Sequence, residues 1–382
     1  MTPFLHKRQS VLSYMRNRVS HLPFISGESR QHGVGEMRRE VEALRAEVGG
    51  LREEIALIQG QNAVLDDRVN YLAARLDYAV TRLRGLSGEL RGDYYERQDH
   101  PGPGEYWSRH NVTSHHRFTS VEDSLRQFEF RNRQYPGYID LLPVGGKDGM
   151  TVLDFGCGPG HDLVGFAHYS RPTRLVGVDI SKTSLAEAEQ RLRLHRAPAE
   201  VVHVEYGTYE LPFQTASFDY IHCSGVLMCI EDPPRLLREF ARLLKPGGEL
   251  RLMVYNYDSL WLHLYVAYVV QIENGLYSGL PTCVAFTRTT DGEDCPVNAV
   301  WRPEEVIALG RDTGFEAVFL GAAMSLWELH LLPQRHLACL QPALPDESRA
   351  FLMGLRIDAE GYPLHGRHRA GIDGCFQFRR SN

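Results

Sequence analysis

Residues 151–162 read T-V-L-D-F-G-C-G-P-G-H-D. An apolar run, Thr151, Val152 and Leu153, ends in the acid Asp154, and Gly156, Gly158 and Gly160 follow at alternate positions. Beyond them the chain turns periodic in a helical sense. This pattern predicts a buried strand that stops, turns through glycines and opens a helix, which brings bare backbone N–H groups up to a ligand. The dinucleotide fingerprint G-x-G-x-x-G needs a glycine where His161 stands, so that fingerprint is not met. A second apolar run, Arg174 to Ile180, ends in Asp179. An acid at the tip of a second strand can accept hydrogen bonds from both hydroxyls of a ribose, which a neutral side chain cannot match.

Acid-x-Gly-x-Gly-x-Gly with an acid-tipped second strand resembles the class I S-adenosylmethionine (SAM) methyltransferases. Two further stretches carry the resemblance: Ser217 to Leu227, placed as a fourth strand and its end, and Leu244-Lys-Pro-Gly-Gly248 before a fifth. It covers about residues 150–255. The fold implied is α/β, a Rossmann-like methyltransferase sheet of seven strands with the last antiparallel. Phe315 to Leu320 is the expected sixth strand and Gly374 to Phe378 the seventh, with helical cap insertions at about 256–300 and 322–371. The resemblance implies SAM as cofactor, held by Asp154, Gly156, Cys157, Gly158, Gly160, Asp179, Ile180, Thr208, Tyr209, Ser224 and Leu227. Where relatives place an acid against the adenine amine, this chain has Gly207, so Tyr209 or backbone groups take that role.

Upstream the chain is organised differently. Residues 1–35 are basic, with Lys7, Arg8, Arg16, Arg18 and Arg30 against Glu28, and Leu12, Met15, Val19 and Leu22 fall at helical spacing. Such a leader is either solvated or, through residues 1–25, laid on an anionic membrane surface. Residues 36–91 carry heptads: Val41, Val48, Ile55, Asn62 and Val69 occupy a positions, and Met37, Leu44, Leu51, Ile58, Leu65 and Leu72 occupy d. β-branched a and leucine d positions favour a parallel two-stranded coiled coil, and Asn62 fixes its register. A homodimer through this rod is expected. Residues 92–143 form a hinge and helical lid; Asp99 to Gly104 breaks any helix, and Ser120 with Asp123 is placed to cap the next one. Residues 144–382 are the methyltransferase domain.

A net charge of −6 and the lack of an Asn/Asp-Pro-Pro-aromatic motif after strand four, where Cys223-Ser-Gly-Val stands, argue against nucleic acid as acceptor. The seven cysteines show no metal-ligand spacing and read as reduced thiols of a cytoplasmic protein, peripheral to the inner membrane if the leader binds it. Asp291, Glu293 and Asp294 are read as solvated, and no metal is expected. His110, His115, His116 and His263 flank the expected pocket. His116 or His263 is expected as general base, with Asp258 orienting it or the acceptor. The activity expected is methyl transfer to a small-molecule or saccharide acceptor, as O-methylation in bacterial surface-glycan biosynthesis. O- or N-methylation of a natural product and a coiled-coil assembly protein with an idle SAM pocket remain open.

Overall fold

The computed structural model describes residues 39, 41–46, 48–50, 102–111, 113, 115–293 and 295–380. The chain divides into two units, residues 1–98 and 99–382. In the first unit the described residues between 39 and 50 are helical; Leu44 and Val48, a d and an a position, are buried while most of their neighbours are exposed. The basic leader and most of the heptad segment lie outside the described residues.

The second unit is built on β1, Thr151–Phe155, whose residues are almost all buried. A strand apolar on both faces belongs at the centre of a parallel sheet covered on both sides. β2 (Arg174–Asp179), β3 (Ala199–His203), β4 (Phe218–Ser224), β5 (Leu244–Tyr255) and β6 (Phe315–Ala323) follow. After three short strands, β7 (Arg356–Ile357), β8 (Pro363–His365) and β9 (His368–Arg369), the last is β10, Asp373–Arg380. The seven-stranded sheet runs β3-β2-β1-β4-β5-β10-β6, and β10 is antiparallel to both its neighbours. This is the expected Rossmann-like order with one reversed strand near an edge. Strand order reverses between β1 and β4, so a crevice opens beyond their C-terminal ends.

Helices cover both faces. α1 is Pro103–Arg109, α2 Val121–Arg133 and α3 Tyr138–Leu141. α4 (His161–Tyr169) and α5 (Lys182–His195) follow β1 and β2, and α6 (Pro233–Leu243) follows β4. Leu236, Leu237, Phe240 and Leu243 of α6 are fully buried against Phe155, Ile221, Leu250 and Leu252 of the sheet. On the other face Leu163 and Phe166 of α4 pack with Leu185 and Leu192 of α5 and with Phe128 of α2. Ser120 caps α2 as expected, accepting the Asp123 N–H at 3.1 Å.

Residues 256–300 and 322–371 carry helices that share one core. α7, Trp261–Glu273, is wound as a π-helix, and α8 spans Thr282–Thr289. α9 (Pro303–Asp312) returns the chain to β6, and α10 (Leu326–Leu331), α11 (Arg335–Leu340) and α12 (Asp346–Gly354) fill the second insertion. Leu260, Leu264 and Tyr268 from the first insertion are buried with Leu331, Phe351 and Leu352 from the second. No described helix is long and apolar enough to cross a membrane.

Candidate active site

The pocket lies in the crevice at β1 and β4, and backbone forms its floor. Gly156, Gly158 and Gly160 all have positive φ, at 75°, 51° and 76°. Side chains are strained in that region, and at Gly156 a Cβ would also run into the Val226 side chain. Gly160 is the N-cap of α4. The loop is pinned from β2: Asp179 Oδ2 accepts the Gly158 N–H at 2.8 Å and its Oδ1 accepts the Ser181 N–H at 2.8 Å. Burial pushes the Asp179 carboxyl up from its ordinary value, against the pull of these N–H bonds. The Ile180 N–H also bears on this carboxylate, which with about four acceptor positions keeps room for a ligand.

At one end of the pocket three polar side chains meet on α2 and α4. Arg131 Nη1 stands 3.8 Å from Asp162 Oδ1. Burial works against the Arg131 charge, but Asp162 and the tyrosines around it outweigh burial and raise its pKa. Burial would raise the Asp162 carboxyl; His222, 3.5 Å away, and then Arg131 reverse this and hold it far below the usual carboxylate range. His161 stacks on Phe128 at 4.8 Å and lines the pocket, and neither of its ring nitrogens has a hydrogen-bond partner. Burial pulls its pKa well below the ordinary value, so the ring is neutral. A cation, an anion and two unspent ring nitrogens around one end of a pocket suit a zwitterion.

The wall and roof are loops. Ile180, Val204, Tyr206, Gly207, Thr208 and Tyr209 line one side, and Ser224, Gly225, Val226 and Cys229 line the side at the end of β4. Over the mouth lie Trp107, His110 and Asn111, from α1 and just after it. Asn111, Thr113 and His115 all bond Glu187 of α5, at 2.8, 3.3 and 2.5 Å, and this clamp holds the lid.

The expected cofactor residues Gly156, Cys157, Gly158, Asp179, Ile180, Thr208, Tyr209 and Ser224 thus come together around one pocket, with Gly160 shaping its loop. Two others stand elsewhere. Asp154 does not line the pocket; it is 2 % exposed with Oδ2 unpartnered, and burial, then the nearby Asp162 and Asp179, push its carboxyl well up. Leu227 is buried in the core beneath the sheet edge.

The three expected catalytic residues are also displaced from the pocket. His116 pairs with Asp123 at the start of α2, 3.2 Å away. His263 is buried in the cap, stacked on Phe351 at 4.2 Å and bonded to Ser348 Oγ at 3.1 Å; burial lowers its pKa to about 3. Asp258 faces His365 at 3.6 Å. The cap helix that carries His263 is buried on several sides, against Phe351 and Leu352 of α12 and against Phe286 and Tyr255, and His263 is taken up among those side chains. The sequence marks the stretch that holds Trp107 and Asn111 as lid, but it does not place Arg131, His161 or Asp162 in the site. Only His161 and Asp162 carried a local signal, as the first residues of the helix after the loop.

The family model described as "Methyltransferase domain" matches residues 146–267. The Pseudomonas paraeruginosa ubiquinone biosynthesis O-methyltransferase is 30% identical over 41% of this chain and 67% of its own length. Its Leptothrix cholodnii counterpart is 27% identical over 53% and 78%. A protein of transposon TN4556 from Streptomyces fradiae is 38% identical over 32% of this chain and 34% of its own. The chain spans about a third of the length of the first curated relatives it matches. Among solved structures, a Haemonchus contortus phosphoethanolamine N-methyltransferase in complex with S-adenosylhomocysteine has a TM-score of 0.43 and 17% identity, over 74% of this chain and 60% of that one.

The fold and the glycine-floored crevice define a nucleotide-binding α/β enzyme of the doubly wound kind. The chain belongs to the class I SAM-dependent methyltransferases, and SAM is its cofactor. The residues present fit that molecule. The unpartnered His161 nitrogens and the Arg131–Asp162 pair suit the amino-acid end, and the remaining acceptor capacity of Asp179 suits the ribose.

Proposed function

We propose that the protein O-methylates a small-molecule acceptor, with His110 as general base. One observation carries this reading. His110 lines the pocket as part of the lid, and its Nδ1 lies 3.0 Å from the Tyr106 carbonyl oxygen, to which it donates. That bond fixes the tautomer and leaves Nε2 as a bare acceptor. The stack of His110 on Tyr106, at 4.3 Å, fixes the ring plane.

When bound, SAM supplies an electrophilic methyl group on a sulfonium. Asp179 holds the ribose, Arg131 the carboxylate, and Asp162 with the glycine loop the ammonium group. Ile180 and Tyr206 to Tyr209 enclose the adenine. Trp107 and Asn111 close the mouth over the acceptor and exclude water, and His110 Nε2 takes the acceptor's hydroxyl proton. The relatives named as ubiquinone biosynthesis O-methyltransferases support oxygen as nucleophile. The roofed mouth and the negative net charge favour a small acceptor over a polyanion. A saccharide hydroxyl of a surface glycan remains the acceptor class proposed from the domain order, with residues 36–91 pairing two copies. Light scattering on protein lacking residues 1–91 tests the pairing: a monomer is expected, and a persistent dimer refutes it.

Methyl-label transfer into a panel of sugars, phenols and quinols tests the activity. His110→Ala is expected to keep SAM affinity and lose about 10²–10⁴ in rate, while His116→Ala and His263→Ala keep most of the rate. An equal loss in either of those variants would refute the assignment of His110.

A further inference from the structure

Cys229, Asp291 and Cys295 come from two distant segments, the turn after β4 and the cap loop after α8, and meet beside the cofactor pocket. Two thiol sulfurs and one carboxylate oxygen lie within 4.8 Å of one another. Cys229 is 8% exposed and lines the pocket itself. We propose that these three side chains form a zinc site whose fourth position opens toward the pocket.

The donor set selects the metal. Magnesium and calcium take oxygen ligands, so two sulfurs exclude them, whereas two thiolates and a carboxylate suit the borderline-soft zinc ion. Three protein ligands with one position left is the arrangement of catalytic rather than structural zinc. Zn–S bonds of about 2.3 Å and a Zn–O bond of about 2.0–2.2 Å put tetrahedral ligand atoms roughly 3.5–3.8 Å apart. The three side chains need close by only about an ångström from their present spread.

The surroundings supply the outer shell that a ligating carboxylate requires. The Tyr255 hydroxyl, at the end of β5, donates to Asp291 at 2.8 Å, and Asn298 Nδ2 reaches Asp291 Oδ2 at 3.3 Å. Asp291 holds φ at 63°, in the left-handed region, and its carbonyl accepts the Tyr106 hydroxyl of the lid helix. A strained, non-glycine residue bonded from three separate elements is held for its side chain's position rather than for the turn. The site therefore ties the lid, the cap loop and the end of β4 together at the acceptor side of the pocket.

A zinc ion held by these three side chains would offer its open position to the acceptor hydroxyl and lower that group's pKa. The hydroxyl proton leaves to His110 Nε2, the oxygen lone pair forms the new bond to the methyl carbon, and the carbon–sulfur electron pair stays on sulfur as the thioether product. The site's place in the reaction rests on the methyl-transfer reading above. Its existence does not.

The test uses the full chain, purified without chelator. Elemental analysis is expected to find about one zinc per chain, and cobalt(II) added to the zinc-stripped protein is expected to give a tetrahedral spectrum with a thiolate-to-cobalt charge-transfer band. Cys295→Ser should weaken that band and lower zinc affinity by more than the roughly 10–100-fold that outer-shell changes cause. Tyr255→Phe should fall within that range. Calorimetry with SAM on the same samples separates the two ideas: SAM binding by a chain that neither retains zinc nor gives the cobalt band refutes the zinc site and leaves the methyltransferase reading intact. No retained zinc together with no charge-transfer band in the wild-type chain overturns the proposal. So does a Cys229–Cys295 disulfide found by mass spectrometry in the protein as purified.

Discussion

The floor and the roof of the pocket are built from different materials. The floor is backbone: three glycines at positive φ, pinned to β2 by the Asp179 carboxylate and following a strand that is almost all buried. The roof is side chain: Trp107, His110 and Asn111 on a short helix and the loop after it, held mainly by one acid, Glu187. A floor of this kind has one conformation available and binds what every member of the class binds. A roof of this kind can be rebuilt residue by residue, which suits the half of the site that meets the variable acceptor.

If the floor is as rigid as this, the largest single effect should come from its tightest glycine. Gly156→Ala adds a Cβ in the left-handed region, at about 1–2 kcal/mol, and drives it into Val226. Calorimetry should find no measurable SAM binding, and thermal melting should show a loss of stability as well. Wild-type affinity in this variant would mean that the loop is pliable, and the contrast between floor and roof would fail.

Arg131, a side chain of α2 beside the floor, sharpens the comparison. Arg131→Met should weaken SAM by about tenfold to a hundredfold, the range for one charged hydrogen bond. It should leave 5′-methylthioadenosine, which lacks the amino-acid end, nearly unchanged. Equal losses for both ligands would place Arg131 in loop folding rather than in recognition of the charged end.

The roof should respond to pH where the floor does not. The hydrogen bond to Glu187 raises the pKa of His115 above its ordinary 6.5, against a smaller opposing effect of burial. A raised pKa means the charged form is the stabilised one. The contribution to lid closure is therefore full below pH 6.5 and is lost as pH rises through the raised value. Hydrogen exchange of residues 110–116, corrected for intrinsic rates, should show protection falling over that window, with α5 unaffected. Glu187→Gln should flatten the dependence.

The floor was legible in the sequence because strand, turn and acid are local. Thr151 to Gly160 announces its geometry within ten consecutive positions, and Asp179 closes the next apolar run in the same way. The resemblance then supplied strand order, including the reversed last strand, which no local pattern encodes. Of the roof only the stretch is legible, as a helical lid within residues 92–143; which of its side chains face the pocket is not. His116 and His263 were plausible by position along the chain, yet His116 is spent on Asp123 and His263 is absorbed into the core shared by the two cap insertions. Helical periodicity marks which face of residues 261–273 is apolar but not which partner that face meets. Cys229 and Cys295 show the same limit: their meeting depends on the course of the whole first insertion, and ligand spacing in sequence cannot report it.

The central claim is that the glycine loop and Asp179 together hold SAM at the β1–β2 edge. Titration calorimetry of SAM into the full chain and into Asp179→Asn tests it most directly, because the substitution keeps shape and removes the charge and one acceptor. The account predicts a loss of about 1.5–3 kcal/mol in binding, roughly tenfold or more, with a melting temperature that moves by no more than a few degrees. Unchanged SAM affinity in Asp179→Asn would contradict it.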